Sequence, residues 1–256
     1  MQSIKEILDK EVCSRNNNCE LSYERPDPLL VASRYQDEYI ILLCALFGYG
    51  KASLIVKFLD SLNFDLLNEK EEVIEKELDK FYYRFQNNED VKTIFKTFRR
   101  MKQEDSLKNI FLETYKKDND ILESLDSLIL RIHKVANYTS QGMTFLVSSP
   151  LKRKSQGDIK HIGNAPYKRW MMYLRWMVRS DNLDLGLWKE VDKKDLILPL
   201  DTHTFKVSQK LGLLDRKTYD LKSAILITEK LREFDIIDPI KYDFALYRIG
   251  QEKIIY

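Results

Sequence analysis

Along most of this chain apolar residues recur at intervals of three and four, and the strict alternation of a half-buried strand is rare. Eight glycines and six prolines are sparse punctuation for 256 residues, so the pattern predicts an all-α protein. Ser3 to Arg15 reads as a first helix, ended by Asn16, Asn17 and Asn18. Pro26 and Pro28 then restrict a loop. Asp37 to Leu46 is strongly apolar and predicts a buried helix that stops at Gly48-Tyr49-Gly50, with a new helix from Lys51 to Leu62. A glycine-flanked helix start bearing Lys51 reads either as a phosphate or DNA contact or as a tight inter-helix turn. A charged helix over Glu69 to Phe81 follows, then Tyr82-Tyr83-Arg84-Phe85. Amphipathic helices come next, over Asp90 to Gln103, Ser106 to Tyr115 and Asp120 to Tyr138. Short polar links of this kind belong to a helical bundle or barrel. No repeat, low-complexity tract or composition shift marks a flexible linker.

Further along, the character changes. Pro150 to Asn164 sets Gly157 and Gly163 among lysines, with Ser148, Ser149 and Ser155 beside them. That composition predicts a hairpin whose main-chain N–H groups can approach a phosphate. Asn164 is placed as N-cap, and Pro166 in the first turn, of a helix from Ala165 to Arg179. At about 100° per residue Trp170, Tyr173, Leu174, Met177 and Val178 share an apolar face, while Arg175 and Arg179 fall within about 20° of Lys168 on the opposite stripe. Three cations in line read as a solvated face, or as a crowd that favours the neutral amine, the form that attacks carbon. Lys168 is thus a candidate nucleophile beside the plainer reading of a structural lysine.

Leu196 to Leu200 delivers Asp201 to the mouth of a helix from Thr202 to Leu211, which Gly212 ends. There the aspartate serves as an N-cap, and it is also placed to face a developing cation. Asp238-Pro239 predicts an N-cap and first-position proline for a last helix to about Ile249. Asp243 and Tyr247 lie four apart on one face of it. They read as an exposed acid beside a half-buried tyrosine, or as a pair able to hydrogen-bond and stack on a purine.

Charge narrows the partners. A net charge of +2, from 42 basic and 40 acidic residues, leaves only local surfaces for a polyanion. Between Lys152 and Arg179 stand eight basic side chains (Lys152, Arg153, Lys154, Lys160, Lys168, Arg169, Arg175, Arg179) and one acid, Asp158. This asymmetry predicts either a polyanion partner or a solvated basic face. Three cysteines, Cys13, Cys19 and Cys44, are an odd number and argue for a reducing compartment. Four closely spaced cysteines for an iron–sulfur cluster are absent, and His133, His161 and His203 are scattered. Cys13 and Cys19 read as packing residues rather than a local metal or redox site. Met1 to Lys10 is polar, and no apolar run approaches the roughly 20 residues of a membrane span. The expectation is a monomeric cytoplasmic protein with neither metal nor cofactor.

The order of hairpin, lysine helix and then LPLDTHTFKVSQKLGL (Leu198 to Leu213) resembles the helix-hairpin-helix DNA glycosylase superfamily. There an aspartate in a V/L-D-T/V-H segment faces a lysine just after the hairpin; Asp201-Thr202-His203 supplies the match. The separation of 33 residues (201 − 168) looks like the archaeal 8-oxoguanine glycosylase branch, and KRWMMYLR (Lys168 to Arg175) is similar to its lysine helix. Asp243 and Tyr247 resemble that branch's acid–aromatic pair for the oxidised base, with tyrosine where tryptophan is usual. RPDPLL (Arg25 to Leu30), FGYGKAS (Phe47 to Ser53) and YRF (Tyr83 to Phe85) look like a bacterial family of formerly unassigned function related to it.

The resemblance implies a two-lobed helical fold without an iron–sulfur cluster, its site in the cleft between lobes. One lobe, residues 25–179, would carry the hairpin and Lys168. The other, 1–24 with 180–256, would carry Asp201 and Asp243. The activity implied is a bifunctional glycosylase and AP lyase of the bacterial nucleoid, which flips an oxidised purine such as 8-oxoguanine out of double-stranded DNA. Lys168 and Asp201 would be catalytic. Asp243, Tyr247 and Arg175 would bind the base, and Lys51, Lys152, Arg153, Lys154, Gly157, Gly163 and Arg169 would bind DNA. A monofunctional glycosylase for alkylated bases or adenine, and a non-catalytic DNA-binding module, are the alternatives.

Overall fold

The computed structural model describes residues 3–252, so the first two and last four residues of the expected second lobe lie outside it. Among the described residues the protein is all-α, and isolated bridges are the only β pairing. In chain order the helices are α1 (Ile4–Arg15), α2 (Leu29–Ala32), α3 (Glu38–Leu46), α4 (Ala52–Ser61), α5 (Glu71–Glu77), α6 (Asn88–Glu104), α7 (Leu107–Asp118), α8 (Ile121–Ala136), α9 (Gln141–Val147), α10 (Lys168–Val178), α11 (Thr202–Lys210), α12 (Leu221–Phe234) and α13 (Asp243–Gln251). Their starts are written in polar residues that accept first-turn N–H groups: Ser3 and Asn87 in capping boxes, and Asp37, Ser106, Asp120, Ser140 and Asp220 as simple caps. The segment of α12 was not among the helices expected from periodicity.

The chain divides into two compact units, Pro26–Leu151 and the described parts of Met1–Arg25 with Lys152–Tyr256. In the first unit α3 is buried from Tyr39 to Leu46, as its uniform hydrophobicity predicts. The amphipathic α6 and α8 turn Ile94, Phe95, Phe98, Leu125, Leu128 and Ile132 inward. Asn119, left-handed at φ 53°, turns α7 into α8. The charged helix expected over Glu69 to Phe81 is shorter, because a 3-10 turn, Phe64–Asn68, precedes α5 and the chain bends at buried Leu78.

In the second unit α10 is the centre, with Trp170, Tyr173, Leu174, Trp176 and Met177 fully buried. Its boundary is also where the expected division fails. The hairpin and α10 fold with the C-terminal segment, not with residues 26–151. The reason is local: the last carbonyls of α10 need donors, and the chain that follows supplies them. Leu185 N–H bonds the Trp176 carbonyl at 2.8 Å and Trp188 N–H bonds that of Met177 at 2.7 Å. The N-terminal helix belongs to the same unit, for Tyr242 Oη donates to Asp9 at 2.8 Å and Arg15 grips Glu252 with two bonds of 2.8 and 2.7 Å. Helices α11 and α13 approach closely at Gly250, where a Cβ would stand 2.9 Å from that of His203. This contact sets the mouth of α11 beside one face of α13.

Candidate active site

Lys168 opens α10 and Asp201 caps α11. The two carboxylate oxygens of Asp201 divide the work. Oδ1 accepts the Thr204 N–H at 2.8 Å, and Oδ2 lies 3.6 Å from Lys168 Nζ. Capping and facing a cation, alternatives on sequence grounds, are therefore simultaneous. The helix start is reached differently from expectation. Tyr167, left-handed at φ 48°, precedes Lys168, and Asn164 is no cap. Asn164 is buried and closes the hairpin instead, accepting from Lys152 N–H at 2.9 Å and donating to the carbonyls of Lys152 and Lys160 at 3.1 and 2.6 Å. Its amide pays for three main-chain groups that a helix cap would have left unmatched.

Tyr247 completes this corner. Its half-buried ring lies 5.9 Å from Lys168 Nζ, with His203 edge-on at 6.2 Å and the Arg248 guanidinium 5.7 Å from its centroid. One turn earlier on α13, Asp243 is buried, not exposed. Arg175 reaches it with Nη1 at 2.5 Å, while Arg175 Nε holds Asp184 at 3.1 Å. Arg179 bonds the other Asp184 oxygen, Asp181 at 2.9 Å and Asp238 at 2.9 Å. The expected stripe of solvated or crowded cations is thus corrected: both guanidinia are buried and matched by carboxylates, because desolvated charges are tolerated only when paired. Asp238 is spent on Arg179 and makes no side-chain cap, so the last helix begins as a 3-10 turn, Pro239–Tyr242, before α13.

Burial dominates the electrostatics. It lifts the Asp243 carboxyl to about 6, against the opposing pull of Arg175; the Asp201 charge lifts it further and Lys168 pulls it down. Burial also raises Asp184, despite both arginines. For Arg175 burial works against the charge, yet Asp184 and Asp243 together hold its proton more firmly than usual. Lys168, Asp201 and Asp243 consequently act in one electrostatic field.

The hairpin forms as the glycines suggest, with Gly157 and Gly163 at φ 99° and 81°. Lys154 N–H bonds the Asp158 carbonyl at 2.8 Å, and Lys160 N–H that of Lys152 at 2.8 Å. Lys152, Arg153 and Lys154 are exposed, whereas Arg169 is half-buried. Lys51, also exposed, stands at the start of α4 in the other unit. The structure therefore gathers Lys168, Asp201, Asp243, Tyr247 and Arg175 in one unit, with the hairpin on that unit. The ion-pair and hydrogen-bond roles of Asp184, Asp238 and Arg248 have no signal in the sequence: no spacing announces a partner that lies 9, 59 or 228 residues away from the group it bonds. Among the described residues no group of three or more His, Cys, Asp or Glu could hold a metal ion, and no helix is long and apolar enough to cross a membrane. Cys44 is buried, but Cys13 and Cys19, expected to pack, are exposed and free.

A family model described as Protein of unknown function (DUF2400) matches residues 27–252. No curated protein and no solved structure matches the chain.

Proposed function

This chain belongs to the DUF2400 family, and we propose that it is a bifunctional DNA glycosylase and AP lyase of helix-hairpin-helix type, acting on an oxidised purine, with 8-oxoguanine the first candidate. The observation that carries the reading is the 3.6 Å approach of Lys168 Nζ to Asp201 Oδ2 beside an acid–aromatic pair. An amine and a carboxylate so placed suit displacement at a sugar carbon. Lys168, once deprotonated, attacks C1′ as the bond to the base breaks, and the departing base takes a proton. Ionised Asp201 stabilises the positive charge that develops on the sugar. Opening of the sugar ring leaves an imine on Lys168, and loss of a proton from C2′ expels the 3′ phosphate. Tyr247 offers a flat face to an extruded purine, with Asp243 as its hydrogen-bonding neighbour, since the target carbon cannot be reached while the base is stacked.

Borohydride reduces such an imine to a stable amine. Incubation with 8-oxoguanine duplex and borohydride should give one covalent complex with the native protein and none with Lys168→Gln. Trapping that persists in the variant would assign the nucleophile to another residue. A product gel without reductant separates strand nicking from simple base release, the outcome a monofunctional enzyme would give.

A further inference from the structure

Tyr82 to Gln86, in the Pro26–Leu151 unit, takes no part in the chemistry above. Tyr83 and Gln86 exchange both main-chain hydrogen bonds, at 3.0 and 2.9 Å, and leave Arg84 and Phe85 at the tip of a two-residue turn. Arg84 sits at φ 53°, a left-handed conformation that a residue with a Cβ rarely adopts. The turn is pinned from beneath. Tyr83 is buried, its ring stacked on Phe58 at 4.4 Å and its Oη donating to the Tyr49 carbonyl at 2.8 Å. Gln86 is buried too and donates from Nε2 to the Gly142 carbonyl at 2.8 Å.

What this anchored turn presents is aromatic and cationic. Phe85 is 58% exposed and Tyr82 75%. The Phe85 ring lies parallel to Tyr49, 6.1 Å away at 6°, and meets Phe145, itself 41% exposed, edge-on at 4.8 Å. The Arg84 guanidinium lies 5.7 Å from the Tyr49 centroid and 5.6 Å from that of Phe85. It occupies room left by Gly50, where a Cβ would collide with it. The next residue, Lys51, is exposed. Neither Arg84 nor Lys51 has a carboxylate partner among the described residues.

Grouped exposed rings mark a binding surface, and unmatched cations beside them call for an anion. Flat ring faces held on a rigid turn call for a planar group within a few ångströms of that anion. A nucleotide offers both, whereas an acidic peptide answers the charge but offers few flat faces. We propose that the Arg84–Phe85 tip stacks an unpaired DNA base, with Arg84 and Lys51 on the flanking phosphates. The inference shares with the glycosylase reading only the polymer, and concerns a different unit of the chain.

The test uses the full chain, a duplex with one bulged undamaged thymine, and its fully paired counterpart. Phe85→Ala should weaken anisotropy-measured binding to the bulged duplex about tenfold and to the paired duplex less than about twofold, while Phe85→Trp retains it. With 5-iodouracil at the bulge, irradiation should cross-link the DNA to Tyr49, Tyr82 or Phe85. Equal loss on both duplexes, no loss on either, cross-links confined to other residues, or equal affinity for polyglutamate would each overturn the proposal. Since the bulged base is undamaged, these results are read whether or not Lys168 performs the proposed chemistry.

Discussion

Arg175 of α10 and Asp243 of α13 meet at 2.5 Å with each side chain only 6% exposed. Through this pair the helix that starts at Lys168 is tied to the helix that carries Tyr247. The same guanidinium holds Asp184, so one cation is matched to two buried acids and Arg179 supplies the second cation. A network of this kind adds little net stability compared with apolar packing, but it tolerates no missing member.

Arg175→Met should therefore destabilise the fold by about 3–5 kcal/mol, the usual consequence of stripping the partner from a buried charge. Arg175→Lys should rescue it only in part, because an ammonium cannot reproduce the fork that serves Asp184 and Asp243 together. Urea denaturation measures both. A loss below about 1 kcal/mol in the methionine variant would mean that water reaches these carboxylates.

Asp243 gives the network a pH signature. Burial raises its pKa from 3.8 to about 6, so between these values the folded protein holds a proton that the unfolded chain has released. Its contribution to stability is greatest below about pH 4 and is lost as pH rises through about 6. Asp243→Asn cannot ionise. The difference in Tm between native protein and variant should then move against the native protein from about pH 4 to about pH 6.5 and be level above. A difference independent of pH would place the titration of Asp243 at its ordinary value.

Periodicity and caps made the helical class, the buried α3 and the mouth of α11 legible, because each is decided within one or two turns of chain. Asp201 could be located from its own neighbours in the same way. The cationic stripe could not, for the helical wheel separates Arg175 from the apolar face and says nothing of Asp243, 68 residues on. Asn164 misled for a related reason: its side chain serves the hairpin's carbonyls rather than the nearer helix. Helix α12 does carry a local signal, an Asp220 cap with Leu221, Ala224, Ile227 and Leu231 at helical spacing. The division of the chain depended on which segment satisfies the end of α10, a pairing that composition does not record.

Asp201 invites a substitution that separates its two roles. Serine caps a helix about as well as aspartate, so Asp201→Ser should leave stability within about 0.5 kcal/mol while removing the charge 3.6 Å from Lys168. Under the proposed mechanism covalent trapping should fall at least about a hundredfold. Asp201→Ala should show the same loss of trapping together with about 1 kcal/mol of stability. If the serine variant traps DNA like the native protein, the carboxylate is a cap and nothing more.

The exposed cations of the hairpin make the last prediction. Lys152 Nζ donates to the Gly163 carbonyl at 3.1 Å and Arg153 Nη1 to that of Gly157 at 3.0 Å, and Lys154 faces Asp158 at 3.6 Å. All three side chains are exposed, so replacing them by alanine should leave the fold intact. Each cation that neutralises a DNA phosphate releases a condensed counterion, worth about 0.9 in the slope of log K against log salt. The triple variant should accordingly bind duplex DNA more weakly at low salt, with a slope shallower by up to about 2.7. The loss should be the same for damaged and undamaged duplexes, since phosphate contacts fix register without reading bases. An unchanged slope would remove the hairpin from the DNA surface while leaving Lys168 and Asp201 as they stand.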